Sequence, residues 1–267
     1  MDEKKWAAVL VAVGVIGAGS AYYFTHPAPV PPPAETPPVA AAEAPPPAPA
    51  PPPADYPVPD QKPDLPALPA LAESDAGIRG ALSDLVGKGS FEAFLIPDML
   101  IRRIVVTIDN LPRDRLALPL RPFKRTPPPV LVRQDGSRIL LSPENSERYS
   151  AAVTVFTAID AGKLVALYFR WYPLFQRAYA DLGYPDRSFN NRLVEVIDHL
   201  LATPEPPAEI ELVQPKVAYE FADPQLESLS SGEKMLLRMN EAQRNAVKTQ
   251  LKAVRAAVVA GAAATVP

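Results

Sequence analysis

The sequence predicts a mainly α chain: a single-span membrane anchor, a disordered Pro-rich linker, and one compact, mostly helical domain with a small β-hairpin component. Three observations predict it. An uncharged apolar run stands beside the N-terminus. A block of proline follows. Beyond that block, apolar residues recur at helical spacing between capping residues.

Residues 1–5 form a short charged tail, and Trp6–Phe24, "WAAVLVAVGVIGAGSAYYF", carries no charge. As a helix it measures roughly 28 Å, close to the ~30 Å hydrocarbon core of a bilayer. Trp6 at one end and Tyr22 and Tyr23 at the other suit the aromatic belts of a membrane. Lys4 and Lys5 precede the run, and the next positive charge is Lys62. The expected orientation is therefore N-terminus cytoplasmic, with the C-terminal domain in the periplasm. A cleaved signal peptide is the competing reading, but the run is long for one and closes on bulky aromatics. Gly14 with Ala18, and Gly17 with Ala21, are small-residue pairs through which two spans pack, so a homodimer is one expectation.

Residues 25–70 hold much of the chain's 35 prolines and almost no large apolar residue before Leu65. Such a segment cannot bury a core and is expected to stay disordered. In polyproline II form it spans on the order of 130 Å. A spacer is the favoured reading over a Pro-rich docking ligand.

The chain of 267 residues carries a net charge of −3, so no bulk basic field points to nucleic acid. It contains no cysteine, which excludes disulfides and Cys-ligated zinc.

Residues 71–256 are read as the mostly helical periplasmic domain. Ser74 or Asp75 caps a helix with the stripe Ile78, Leu82, Leu85, Val86, stopped by Gly87 and Gly89. Phe91, Phe94 and Leu95 fit a short helix ending before Pro97. Asp98 is the expected cap of the next, whose face is Leu100, Ile101, Ile104, Val105, Ile108 and Leu111. A hairpin is expected at Val130–Arg133 and Arg138–Leu141, turning near Asp135-Gly136. Ser142-Pro143 opens a helix through Tyr149, Val153 and Phe156. Asp160 caps a long aromatic helix that ends at Gly183, and Ser188 caps another. Two short strands, in "EIELV" and "KVAYEF", pair with each other or with the first hairpin. Asp223, Ser231 and Asn240 cap the remaining helices, and residues 257–267 are expected to be a flexible tail.

Phosphate loops, dinucleotide fingerprints, nucleophile elbows and metal-binding helix motifs are all absent from the sequence. No cofactor or metal is expected. Of the two histidines, His26 lies in the linker, so any imidazole chemistry in the domain falls to His199. Its neighbour Asp198 is adjacent in sequence and so does not face it on a helix. Arg192 and Glu195 are the expected contacts of His199 on an outer polar face. The aromatics of "YFRWYPLFQRAYADLGY" make so wide an apolar arc that a central core helix is favoured over a sugar-stacking surface.

Charge is uneven. The stretch from Arg102 to Arg138 is basic and that from Glu205 to Glu233 is acidic. Either the two neutralise each other, or the basic part is a docking face. No catalytic residue is assigned. The candidate contact residues are Arg102 and Arg103 on one helix and Tyr184, Asp186 and Arg187 in an inter-helix corner. Glu195 and Glu205 are the candidate acids if the protein is an enzyme.

Several phrases together carry a family resemblance: "LIPDMLIRRIVVTIDNL", "RYSAAVTVFTAIDAGKLVALYFRWYPLFQRAYADLGYPDRSFNNRLVEVIDHLLATPE", "VAYEFADPQLESLSSGEKMLLRM" and "NAVKTQLKAVR". Over most of Leu68 to Arg255 the chain resembles the bacterial envelope family catalogued as domain of unknown function 3014. The resemblance implies an anchor, a Pro-rich linker and this domain, and it carries no activity and no catalytic residue. "MNEAQRN" and Phe169 depart from the expected pattern without changing the class. The sequence as a whole points to a non-enzymatic envelope adaptor or scaffold in the bacterial inner membrane. Its expected partners are the lipid bilayer, through Trp6–Phe24, and an envelope protein or peptidoglycan. The alternatives are a cell-wall glycan hydrolase and a ligand- or glycan-binding module.

Overall fold

The computed structural model describes residues 55–60, 65–124 and 130–263. The predicted span Trp6–Phe24 and most of the predicted linker lie outside these residues. Nine α-helices and four strands are formed among them. They are α1 (Asp75–Val86), α2 (Lys88–Phe94), α3 (Leu100–Asn110), β1 (Val132–Asp135), β2 (Arg138–Leu141), α4 (Glu147–Ala158), α5 (Ala161–Asp181), α6 (Phe189–Leu201), β3 (Glu211–Val213), β4 (Glu220–Phe221), α7 (Pro224–Glu227), α8 (Ser231–Leu237) and α9 (Glu241–Ala263). Among the described residues no single helix is long and apolar enough to cross a membrane. One pair bent by 81°, Pro143–Ala158 with Ala161–Asp181, passes on length and composition only.

Capping residues set most of the helix starts. The Asp160 side chain accepts from the Lys163 N–H at 2.8 Å, Ser188 from Asn191 at 3.3 Å and Asp223 from Gln225 at 2.8 Å. Asn240 and Gln243 bond reciprocally at the start of α9. Two expected caps move. The cap of α8 is Ser230, one residue before Ser231, because it closes a capping box with Glu233. The cap of α3 is not Asp98. Met99 stands there with a left-handed backbone (φ 50°), and the Asp75 carboxylate reaches across from α1 to accept from Met99 N at 2.8 Å and Leu100 N at 3.0 Å. Those amides have no partner within their own helix, so the bonds both cap α3 and fasten α1 to it.

Helix α5 is the centre. It packs against α1, α3, α6 and α9. Tyr168, Trp171, Phe175 and Tyr179 are buried along it, with Phe189 of α6 fully buried between them. Phe175 and Phe189 lie stacked, with ring centroids 5.9 Å apart and planes at 11°. The aromatic stripe is thus core, as its width implies. Gly77 admits Trp171 to α1, since a Cβ there would stand 2.6 Å from the indole ring.

The two predicted hairpins share one antiparallel sheet of order β1-β2-β3-β4. β2 carries both halves: Leu140 pairs Arg133 on one side and Glu211 on the other. The sheet buries Leu212 and Phe221 with Leu237 of α8.

Both predicted ends of the domain shift outward. Residues 257–267 are expected to be flexible, yet α9 continues to Ala263. Val254, Val258 and Ala262 recur every four residues and are buried, so the helix keeps a core face past Ala256. At the other end Tyr56, which composition places in the linker, packs against the cluster of Val165, Val194 and Ile197.

Candidate functional site

Where α3, α5 and α6 converge, an open polar groove of about 570 Å³ forms. The end of α3 brings Asp109, and the turn after it brings Arg113. The last turn of α5 brings Tyr179. Gly183, with φ 102°, stops α5 in a conformation that favours glycine and turns the chain into Tyr184, Asp186 and Arg187. Ser188, Asn191, Arg192 and Glu195 follow on the first turns of α6, and Asp55 closes one edge.

Asp109 is the buried pivot, 4% exposed. Its Oδ1 accepts from Arg192 Nε at 3.0 Å and its Oδ2 from Arg113 Nη2 at 2.5 Å. Arg192 Nη2 also donates to the Asp109 carbonyl at 2.9 Å, and Nη1 to Glu195 at 2.8 Å. A carboxylate this deep requires such donors to offset its lost hydration. Arg113 Nη2 donates to the Tyr184 hydroxyl at 2.9 Å. The Tyr184 ring stacks on Tyr179 at 4.8 Å, and the Arg187 guanidinium lies 5.8 Å from its centroid. Among the described residues Arg187 has no carboxylate partner.

Titration follows from these contacts. The Tyr184 hydroxyl and the Asp109 charge hold Arg113 above the usual guanidinium value. Burial acts to lower Arg192, but Glu195 and Asp109 outweigh it and raise the group. Burial raises the Tyr179 phenol. The groove therefore presents fixed cations, a stacked tyrosine pair and hydroxyls.

Four of the candidate residues meet here: Tyr184, Asp186, Arg187 and Glu195. The other three do not line the groove. Arg102 donates to Asp181 at 2.9 Å. Arg103 bends back onto the carbonyls of Asp98 and Pro119 at 2.7 and 2.8 Å, holding the loop after α3. Glu205 lies beyond the C-terminal end of α6. There Arg244 hydrogen-bonds it, with Lys248 assisting, and holds its carboxyl below the usual range. A general acid needs the opposite shift.

Sequence reasoning missed Asp109, Arg113 and Arg192 as a unit. A signal was available. Asp109 falls four residues after Val105, on the buried side of α3, and an acid there must find donors.

His199 does not join Arg192 and Glu195 on an outer face. Its Nε2 sits 2.8 Å from Ser230 Oγ and 3.2 Å from Glu233 Oε2. Serine, histidine and a carboxylate do converge, but not as a hydrolytic triad, in which the acid orients the imidazole through the nitrogen opposite the nucleophile. Here both partners face one nitrogen. Ser230 and Glu233 are buried and satisfy each other's amides, with Ser230 N donating to Glu233 at 2.9 Å. His199 thus docks the end of α6 on the cap of α8. Asp198 points elsewhere, to Arg255, as helical geometry predicts.

A second cavity, of about 170 Å³, lies in the core between α1, α3, α5, α6 and α9. Its lining is apolar throughout: the one side-chain hydroxyl among the lining residues, that of Tyr168, donates to Asn190 at 3.0 Å. The cavity offers nothing to orient a sugar. Among the described residues no cluster of His, Asp and Glu is able to hold a metal ion.

A family model described as a protein of unknown function, DUF3014, matches residues 100–255. No curated protein and no solved structure matches the chain. Every groove residue except Asp55 lies inside the matched stretch.

Proposed function

We propose for this chain, which belongs to the DUF3014 family of proteins of unknown function, the role of a non-enzymatic envelope adaptor that binds its partner in the Asp109–Arg192 groove. The observation that carries the reading is the state of the groove's functional groups. Asp109 has both oxygens engaged by arginines, and Glu195 is paired with Arg192. Among the described residues no histidine lines the groove, while Arg187 and the Tyr184–Tyr179 stack face it. Groups of that kind bind; acid–base work needs a free base or a protonated acid within reach of the reacting bond.

The uncharged run Trp6–Phe24 is the proposed anchor in the inner membrane, with the domain periplasmic on its proline spacer. A tether raises the domain's effective concentration near the membrane while allowing it reach.

Two experiments test this. Protease added to spheroplasts is expected to degrade the domain while sparing cytoplasmic markers; a domain protected until lysis contradicts the topology. The purified protein in a peptidoglycan zymogram is expected to give no clearing. Clearing that Glu195→Gln or Glu205→Gln abolishes makes the protein a hydrolase instead.

A further inference from the structure

One edge of the groove is already covered by the chain itself, and the way it is held identifies a class of ligand. Asn191 Oδ1 accepts from the Tyr56 N–H at 3.1 Å, and Asn190 Nδ2 donates to the Tyr56 carbonyl at 2.9 Å. Two side-chain amides thus take both main-chain groups of one residue, as the edge of a sheet would. The site is built rather than incidental. Asn190 is fully buried, and the Tyr168 hydroxyl occupies its Oδ1, which leaves Nδ2 to face the peptide. The Tyr56 ring packs on the apolar cluster of Val165, Val194 and Ile197. Asp55, one residue earlier, lies 3.5 Å from Asn191 Nδ2 and lines the groove.

Resting on the groove reading above, we propose that Asn190 and Asn191 form the reading head of a peptide site. Asp55-Tyr56 is its resident occupant. The partner is a protein that enters as an extended segment, with an acidic residue before an aromatic one, and displaces that occupant. Main-chain hydrogen bonds hold any such segment, the apolar cluster takes its aromatic ring, and Asn191 takes its acid. Asp55 lines the same groove as Arg187, which has no carboxylate partner among the described residues. A further acid in the partner, placed within reach of Arg187, gains a cation that Asp55 and Tyr56 leave unused.

The test uses the full chain in detergent and a fluorescein-labelled peptide of residues 54–60, Ala-Asp-Tyr-Pro-Val-Pro-Asp, read by fluorescence anisotropy. A site occupied in cis binds more weakly in trans, by the fraction of molecules in which it is vacant. The Asp55→Ala/Tyr56→Ala chain is therefore expected to bind the peptide at least about tenfold more tightly than the unaltered chain. Adding Asn191→Ala is expected to remove that binding while thermal unfolding stays cooperative. If the vacated chain does not fold, the unaltered chain serves: excess peptide is expected to accelerate hydrogen exchange at the Tyr56 amide. Absence of saturable binding to a cooperatively folded vacated chain overturns the proposal, as does equal binding of a peptide with the Asp and Tyr replaced by Ser. So does Tyr56 exchange that excess peptide leaves unchanged. Should the peptide fail while a probe in the groove still captures one partner in cells, the adaptor reading stands and the peptide class falls.

Discussion

Asp109 and Arg244 are both buried charges held by partners of opposite sign, and they turn opposite signs toward solvent. At the groove the acid is inside and the cation outside: the Asp109 side chain is 6% exposed and that of Arg113 49%. Beyond the end of α6 the arrangement reverses, with the Arg244 side chain 6% exposed and that of Glu205 60%. The difference lies in what remains free. Arg244 directs Nε and Nη2 to Glu205 and Nη1 to the Met239 carbonyl, and Lys248 joins at 3.2 Å, so that cluster is closed. Asp109 organises two arginines that line an open groove with a tyrosine stack beside them. The buried acid under cationic edges leaves an open groove, as the adaptor proposal requires, whereas the buried cation under a saturated acid braces α9 against the chain after α6.

The contrast predicts a ranking of substitutions. Asp109→Ala leaves the confined Arg192 with only the exposed Glu195 as partner and is expected to cost about 3 kcal/mol or more in urea unfolding. Arg244→Met keeps an apolar stem in place and leaves the mostly exposed Glu205 to Lys248 and water, so its expected cost is smaller, about 1.5 kcal/mol. Equal costs would break the asymmetry. Tyr184→Phe removes the acceptor for Arg113 but keeps the ring on Tyr179, for about 0.5 kcal/mol. Glu205→Gln is expected to stay within about 1 kcal/mol at pH 7, because the group is mostly exposed and screened. Its sign with pH sharpens the point. The folded Glu205 carboxyl is held below its unfolded value, so its contribution is present above the ordinary glutamate range and lost as pH falls through the lower folded value. Urea titrations of the unaltered and Glu205→Gln chains are therefore expected to converge in acid.

Local features of the fold were legible where the signal was local. Asp160, Ser188 and Asp223 cap the helices they precede, and the stripe through Tyr168, Trp171 and Phe175 is core. What could not be read depends on tertiary contact. Asp75 caps α3 from another helix, which no window around Asp98 contains. The shared sheet depends on β2 accepting β3 from far along the chain. The same division holds for the site. Tyr184, Asp186 and Arg187 stand out as a corner between helices. Their link to Asp109 and Arg113 requires α3 to cross α6. Glu205 is a candidate acid in the sequence only by elimination, and the arginine that rules it out stands 39 residues away.

The adaptor reading is tested most directly by photocrosslinking in living cells, with the reactive residue at position 186 in the groove or at position 205 on the closed cluster. The account predicts one recurrent envelope protein captured from position 186, lost with Arg187→Glu, and nothing above background from position 205. Equal capture from both positions, or none from position 186 in a correctly localised chain, would contradict it.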